Sequence, residues 1–385
     1  MNTSIQQNER IQAMDVIRGI AILGIFLVNW PTIVGVEAVD VGRVYTGWNA
    51  YIRLFYDLFI QTKFYTIFSF LFGLGFYIFI TRAEEKTKRP KLLFLRRLFI
   101  LLVFGSLHYI LLWRGDILHS YALAGVFLLL FYRRKPKTVL IWSFVLLALF
   151  QLLMVGAFSM MNDTNTGVTV MAATTPLYHW TEQVATRFQA FKSEAITLNL
   201  ILLPETVGLF LLGLYVGKKN IFRRASQLDS RLKTIQIIAL LLTLPSWFKI
   251  LQYFVATKEY NSAQIYLYVL LSGKTLCIFY ITTLLRFMQH PKWQRLLRPF
   301  QYVGRMALTN YLSQTLITSL FFSLFFRDSA NLPLWVGIVF CLCFYFIQII
   351  WSKWWLSRYQ YGPLEYIWRI GTYGKKMPLR QKQAS

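Results

Sequence analysis

About ten apolar runs, most of them near the ~20 residues that a helix needs to cross a hydrocarbon core, leave this chain few ways to fold. They cover residues 16–34, 64–80, 98–113, 117–131 and 139–160, then 196–217, 235–255, 263–287, 306–326 and 334–351. Runs of that length satisfy their backbone in lipid only as packed helices. The expected fold is all-α, a polytopic membrane helix bundle of about ten transmembrane helices forming one membrane domain over residues 1–385. The third and fourth runs are short and separated by Arg114-Gly115-Asp116, which predicts a tight helical hairpin.

Charge then orients the chain. Lys and Arg number 41 against 16 Asp and Glu, a net charge of +25. In a water-soluble protein that excess would suggest nucleic acid. Only 15% of the residues are charged, however, against about 25% in soluble domains. The basic residues also fall in short clusters between apolar runs. This excludes a soluble enzyme, a nucleic-acid-binding domain and a secreted disulfide scaffold. About three-quarters of the basic residues sit in alternate connecting segments, so the positive-inside rule places both termini, residues 1–15 and 352–385, in the cytoplasm. Residues 35–63 and 161–195 become outer loops. The first run lacks an A-x-A-like cleavage site and reads as an uncleaved anchor. The expected location is the cell membrane, with the bilayer as partner and no nucleic acid. Cys277, Cys341 and Cys343 all fall within apolar runs and read as packing residues rather than a disulfide or metal set.

Two outer segments carry helical periodicity. Trp48, Tyr51, Ile52, Phe55, Tyr56 and Phe59 recur as in an amphipathic helix lying in the interface. Val184, Phe188, Phe191 and Ala195 share a second helical face. Either helix anchors at the interface or roofs an outward-facing cavity.

Ionisable groups at membrane depth are expensive and normally face the bundle interior, where they partner one another. His108 lies in the outer half of the third run; the hairpin brings Asp116 and His119 to a similar depth. Glu205 follows Pro204 in the sixth run, Lys249 and Lys274 lie in the seventh and eighth, and Asn29 is in the outer half of the first. A neutral histidine takes a proton from a hydroxyl when a carboxylate fixes its tautomer. The catalytic candidates are therefore His108 with Asp116 or Glu205, and Asn29, His119 and Lys274 are candidates for a polar substrate cavity. The alternative is a structural Glu205–Lys274 ion pair with hydrogen-bonded histidines. His108, Asp116 and His119 lack a third nitrogen or thiolate nearby, so no metal is expected. At the basic end, Arg18, Arg97, Arg305 and Asn310 are candidates to bind the phosphates of a cytosolic donor, since guanidinium groups grip phosphate bidentately. Orientation of the chain alone is the competing account of those arginines.

Several stretches carry a resemblance together. Met14-Asp15-Val16-Ile17-Arg18-Gly19 opens the first run, Phe68-Ser69-Phe70-Leu71-Phe72-Gly73-Leu74-Gly75 lies in the second, and Arg96-Arg97-Leu98 leads to Gly105-Ser106-Leu107-His108. Then come Trp113-Arg114-Gly115-Asp116-Ile117-Leu118-His119, Gly304-Arg305-Met306-Ala307-Leu308-Thr309-Asn310-Tyr311 and a tail from Arg358 to Arg369. The chain resembles the YeiB-like family, bacterial multi-pass proteins classified as domain of unknown function 418. Its first run is also similar to that of acyltransferase family 3 and the heparan-glucosaminide acetyltransferase group. That wider resemblance implies transfer of an acyl group from a cytosolic acyl-CoA across the membrane. Arg18 fits the family 3 arginine, while Asn29 stands at its histidine position, as in the heparan-glucosaminide group. Gln314 stands at a second histidine position, and Arg97 with His108 repeats the arginine–histidine spacing on the third run.

The expectation is a membrane acyltransferase that takes an acyl-CoA-like donor at its basic inner face. The acyl group passes to an envelope glycan, polymer or lipid, with His108 as general base. The alternatives are a proton-coupled secondary transporter, which would use the same residues, and a non-catalytic membrane subunit of an envelope complex.

Overall fold

With no water to satisfy its amides, an apolar run in lipid closes its own hydrogen-bond ladder. In the computed structural model, which describes residues 3–35, 44–164, 180–193, 195–326 and 332–380, helices accordingly account for almost everything. They run α1 (Thr3–Val34), α2 (Gly47–Phe59), α3 (Lys63–Glu84), α4 (Pro90–Leu111), α5 (Leu118–Gly125), α6 (Leu128–Phe131), α7 (Pro136–Thr164) and α8 (Trp180–Ser193). There follow α9 (Ala195–Lys218), α10 (Asp229–Thr257), α11 (Ser262–Phe287), α12 (Pro291–Arg305), α13 (Ala307–Phe325), α14 (Leu334–Arg358) and α15 (Pro363–Tyr373). Two short strands, β1 (Val44–Tyr45) and β2 (Tyr260–Asn261), pair antiparallel and tie the start of α2 to the start of α11. Residues 36–43 and 165–179 of the expected outer loops and 381–385 of the tail lie outside the described residues, as does the side chain of Ala195.

Among the described residues, eight helical stretches are long and apolar enough to cross a membrane. The molecule is thus an all-α polytopic bundle and a multi-pass membrane protein. Leu152 and Val255 remain 70% and 73% exposed, on apolar faces of the kind that a membrane covers. Two expected spans are modified. The run 117–131 is not one helix: α5 ends at Gly125, the chain turns at Val126 and Phe127, and only a single turn, α6, follows. Together they are too short to cross alone. The run 306–326 becomes α13, whose buried face carries Asn310, Gln314, Thr315 and Thr318. Gln314 donates to Gln348 of α14 at 2.9 Å, which ties this face to α14, while Gln314 Oε1 and Thr318 Oγ1 are buried with no partner among the described residues.

α1 sits centrally, packed by α3, α12, α13 and α14. It meets α12 backbone to backbone: a Cβ on Gly19 would overlap the Phe300 carbonyl, and one on Gly304 would overlap the Asp15 carbonyl. Small residues at a membrane helix crossing permit such an approach. The hairpin of α4 and α5 forms as expected, with Trp113 to Asp116 in the turn. α8 lies against α4, where buried Arg187 donates to the terminal carbonyls of Ile110 and Leu111 at 2.9 and 3.0 Å.

Candidate functional site

The α4–α5 hairpin gathers His108, Asp116 and His119. Asp116 Oδ1 accepts from His108 Nδ1 at 2.8 Å, and its Oδ2 accepts from the backbone N–H and the Nδ1 of His119, both at 3.0 Å. The carboxylate thereby also caps the first turn of α5. Gly105 makes this closeness possible, since a Cβ there would overlap the His119 backbone and meet the Asp116 carboxylate. A carboxylate only accepts, so both Nδ1 atoms carry hydrogen and both Nε2 atoms are left as bases. Ser120 donates weakly to His119 Nε2 at 3.4 Å, whereas His108 Nε2 is buried and has no partner among the described residues. Such an orphaned buried nitrogen asks for an occupant. Aromatic rings enclose the pair: Trp113 and Tyr311 lie beside His108, and Tyr109 and Phe191 beside His119.

On the N-terminal side of this cluster, a cavity of about 230 Å³ opens between α1, α3, α4, α5, α13 and α15. Arg18, Arg97, Arg305, Arg369 and Glu365 are its charged lining residues, while Ile117, Tyr121 and Tyr311 bring it to the hairpin. Along α4, Arg97 and His108 are about 16 Å apart at ~1.5 Å per residue. The tail holds Arg97 in place. Arg97 lies 3.7 Å over the ring of Trp368, whose indole N–H donates to the Arg97 carbonyl at 2.9 Å. Arg18 pairs with Asp15 at 2.9 Å. Glu365 accepts from the amides of Leu308 and Thr309 and from the Thr309 hydroxyl, capping α13; burial still pushes its carboxyl above the usual glutamate range.

The expected residues therefore divide. His108, Asp116 and His119 come together, and Arg18, Arg97 and Arg305 share one cavity. Glu205 does not reach His108: it forms an ion pair with Lys274 and accepts from Tyr65 at 2.9 Å, because α9 turns it toward α3 and α11. Asn310 does not line the cavity. Its amide donates to the Val303 carbonyl and to Ser352, at 3.2 and 3.0 Å, and so locks α13 to α14. Asn29 is half-buried, away from the cavity, with its carbonyl accepting from Thr32. His108 itself does not line the cavity; Tyr311 stands between. Lys249 is exposed beside Gln252. No group of three or more His, Cys, Asp or Glu that could hold a metal occurs among the described residues.

Sequence reasoning missed a second buried network. α2 turns its aromatic face outward, with Trp48 82% exposed, and buries Arg53, Tyr56 and Asp57. Arg53 pairs with Asp57 at 3.2 Å and donates to Ser262 at 2.8 Å. Tyr260 and Ser262 donate to Asp57, and Lys63 donates to Ser272 at 3.1 Å. Charge at i and i+4 within an aromatic helix was the available signal. Tyr311, Glu365, Trp368 and Arg369 were also missed as lining residues, although the tail motif contains three of them.

Comparison with known proteins places this geometry in a family. Residues 216–375 match the family described as Protein of unknown function (DUF418). The chain is 34% identical to the uncharacterized 39.9 kDa protein in amylase 3'region of Bacillus acidopullulyticus, over 98% of both chains. It is 31% identical to the uncharacterized protein YxaH of Bacillus subtilis (strain 168), over 97% of both, and 27% identical to the uncharacterized protein YeiB of Escherichia coli (strain K12), over 94% of this chain and 96% of that one. No solved structure matches. With relatives aligned along nearly its whole length, the chain belongs to the YeiB-like DUF418 family.

Proposed function

We propose that this chain is a transmembrane acyltransferase of the bacterial cell envelope. An acyl-CoA-like donor enters the arginine-lined cavity from the cytoplasm, and the acyl group passes to a hydroxyl or amine of an envelope glycan, polymer or lipid. The observation that carries this reading is the alignment of the cavity with the hairpin: four arginines line it, and Tyr311 separates it from a buried imidazole held by a carboxylate.

In this reaction His108 Nε2 removes the proton from the acceptor as its oxygen or nitrogen attacks the thioester carbonyl. Asp116 stabilises the imidazolium that forms. When the tetrahedral intermediate collapses, the C–S bond breaks and the imidazolium returns its proton to the thiolate. The arginines bind the donor and take no part in the covalent step. Purified His108→Ala protein should lose transfer from radiolabelled acetyl-CoA by about 100-fold or more, the usual contribution of a general base. Transfer at the wild-type rate would overturn the assignment.

One observation favours a second reading. The buried Glu205–Lys274 pair, joined to Tyr65, is the kind of intramembrane pair that relays protons in transporters. Uptake into proteoliposomes that depends on a pH gradient and is lost in Glu205→Gln would establish that reading in place of the first.

A further inference from the structure

A second cavity, of about 390 Å³, adjoins the first, and Arg305 lines both. Its wall is the polar face of α12: Arg295, Arg298, Tyr302 and Arg305 stand at i, i+3, i+7 and i+10, which places them along one side of the helix. The opposite side of α12 is spent on packing, with Leu297, Val303 and Gly304 buried. Gln12 and Val16 of α1 and Met288 at the end of α11 complete the enclosure. Gln294 is committed to the Met288 carbonyl at 2.9 Å, which leaves Gln12 and Gln301 as amide donors beside the three guanidinium groups.

Among the described residues no carboxylate lines this cavity, and no ion pair engages Arg295, Arg298 or Arg305. Asp15, whose charge Arg305 also feels, is already bonded to Arg18. Orientation of the chain in the membrane requires basic residues on this side of the bilayer, but it does not require three of them on one helical face around a shared concavity. Uncompensated guanidinium groups converging with amide donors suit phosphate, which they grip bidentately. The neighbouring cavity beyond Arg305 is largely apolar. The two together fit one amphiphilic ligand with a phosphate-bearing head and an apolar arm.

We propose that this second cavity is a phosphate-binding subsite, in which Arg295, Arg298 and Arg305 hold a phosphate of the ligand whose apolar arm occupies the first cavity. The acyl-transfer reading supplies the identity of that ligand as an acyl donor with a phosphorylated nucleotide end. The phosphate chemistry stands without it, since a phospholipid headgroup presents the same group.

The test uses the full chain in phosphatidylcholine nanodiscs, titrated calorimetrically with coenzyme A and with dephospho-coenzyme A, which lacks one phosphate. Arg295 and Arg298 are exposed, so the Arg295→Gln/Arg298→Gln variant folds. It should bind coenzyme A about 10-fold or more weakly, the worth of charged hydrogen bonds, and lose any preference over the dephospho form. Lys292→Gln/Lys233→Gln removes the same charge outside the cavity and should leave binding unchanged. Equal binding by wild type and the arginine variant, or an equal loss in the lysine control, overturns the subsite. If the wild type binds neither form of coenzyme A, the acyl-donor reading falls by itself. Dihexanoyl phosphatidylglycerol then decides the subsite: binding weakened by the arginine variant supports it with a lipid as source, and binding that is absent or unchanged overturns it.

Discussion

Tyr311 faces two ways: its ring centre lies 5.4 Å from that of His108, and the same side chain lines the arginine-rich cavity. The imidazole is therefore one aromatic ring away from the space that would hold a donor, and it is sealed from that space while the ring stays in place. Truncating Tyr311 to Ala should open the passage. Carbethoxylation of His108 by diethyl pyrocarbonate, followed by mass spectrometry, should be slow in the wild type and several-fold faster in Tyr311→Ala. Tyr311→Phe keeps the ring and should behave as wild type. The Ala variant loses about 3–5 kcal/mol from a packed core, so the comparison belongs well below its unfolding temperature. Equal rates in all three proteins would mean that Tyr311 is not what separates the imidazole from the cavity.

Asp116 carries two loads that can be measured apart. It orients His108 and His119 through their Nδ1 atoms, and it caps α5 through the His119 amide. Asp116→Asn retains one acceptor oxygen, so the cap survives in part and stability should fall by about 1 kcal/mol. The neutral amide no longer stabilises an imidazolium, so acyl transfer should fall by about 100-fold or more. His119→Ala leaves the His108–Asp116 bond intact and should cost far less activity. If His119→Ala abolishes transfer while His108→Ala spares it, the roles of the two histidines are reversed.

How much of this was legible beforehand follows from what lipid imposes. The apolar runs were readable because the bilayer fixes their length, and His108, Asp116, Glu205 and Lys274 stood out because such groups are rare at that depth. The hairpin partners were readable because only a short turn separates His108 from Asp116. Glu205 was assigned two alternative partners, since whether α9 turns it toward α4 or α11 depends on helix rotation, which periodicity does not encode. Arg53 and Asp57 were hidden for a related reason: the aromatic stripe of α2 marks a face, but not whether protein or lipid meets it. The tail was the least legible part. Trp368 and Arg369 reach the cavity only because α15 folds back onto α4, a long-range contact with no local signature.

The buried Glu205–Lys274 pair should show the asymmetry typical of ions in low dielectric. Removing one partner strands the other's charge, so Lys274→Met or Glu205→Gln alone should destabilise the protein by about 3–5 kcal/mol. The double variant replaces both charges with groups of similar size and should recover most of that loss. Thermal unfolding in detergent, compared across the four members of the cycle, measures the coupling. Additive losses would mean that the pair contributes nothing beyond its separate side chains. The pair lies apart from His108, so the double variant should keep most of its acyl transfer; a proton-coupled transporter would be inactive.

Glu365 gives the cavity a pH dependence whose sign can be worked out. Burial raises its carboxyl above the ordinary glutamate value of 4.5, and the hydrogen bonds from Leu308 and Thr309 offset only part of that. The group therefore contributes stability below its unfolded value, and this is lost as pH rises through the raised folded value. The charged groups sharing its cavity are Arg18, Arg97, Arg305 and Arg369. Once Glu365 ionises, it opposes their field. Anion affinity should consequently be highest when Glu365 is neutral and fall as pH climbs through its raised pKa. Inorganic sulfate is a suitable probe, because its charge is constant between about pH 5 and 8, where arginine also stays protonated. Calorimetric titration across that range should show weakening affinity in the wild type. Glu365→Gln retains the acceptor oxygen that caps α13, and it should bind with a flat profile at the tighter, low-pH level. An unchanged slope in the Gln variant would assign the pH dependence to another group.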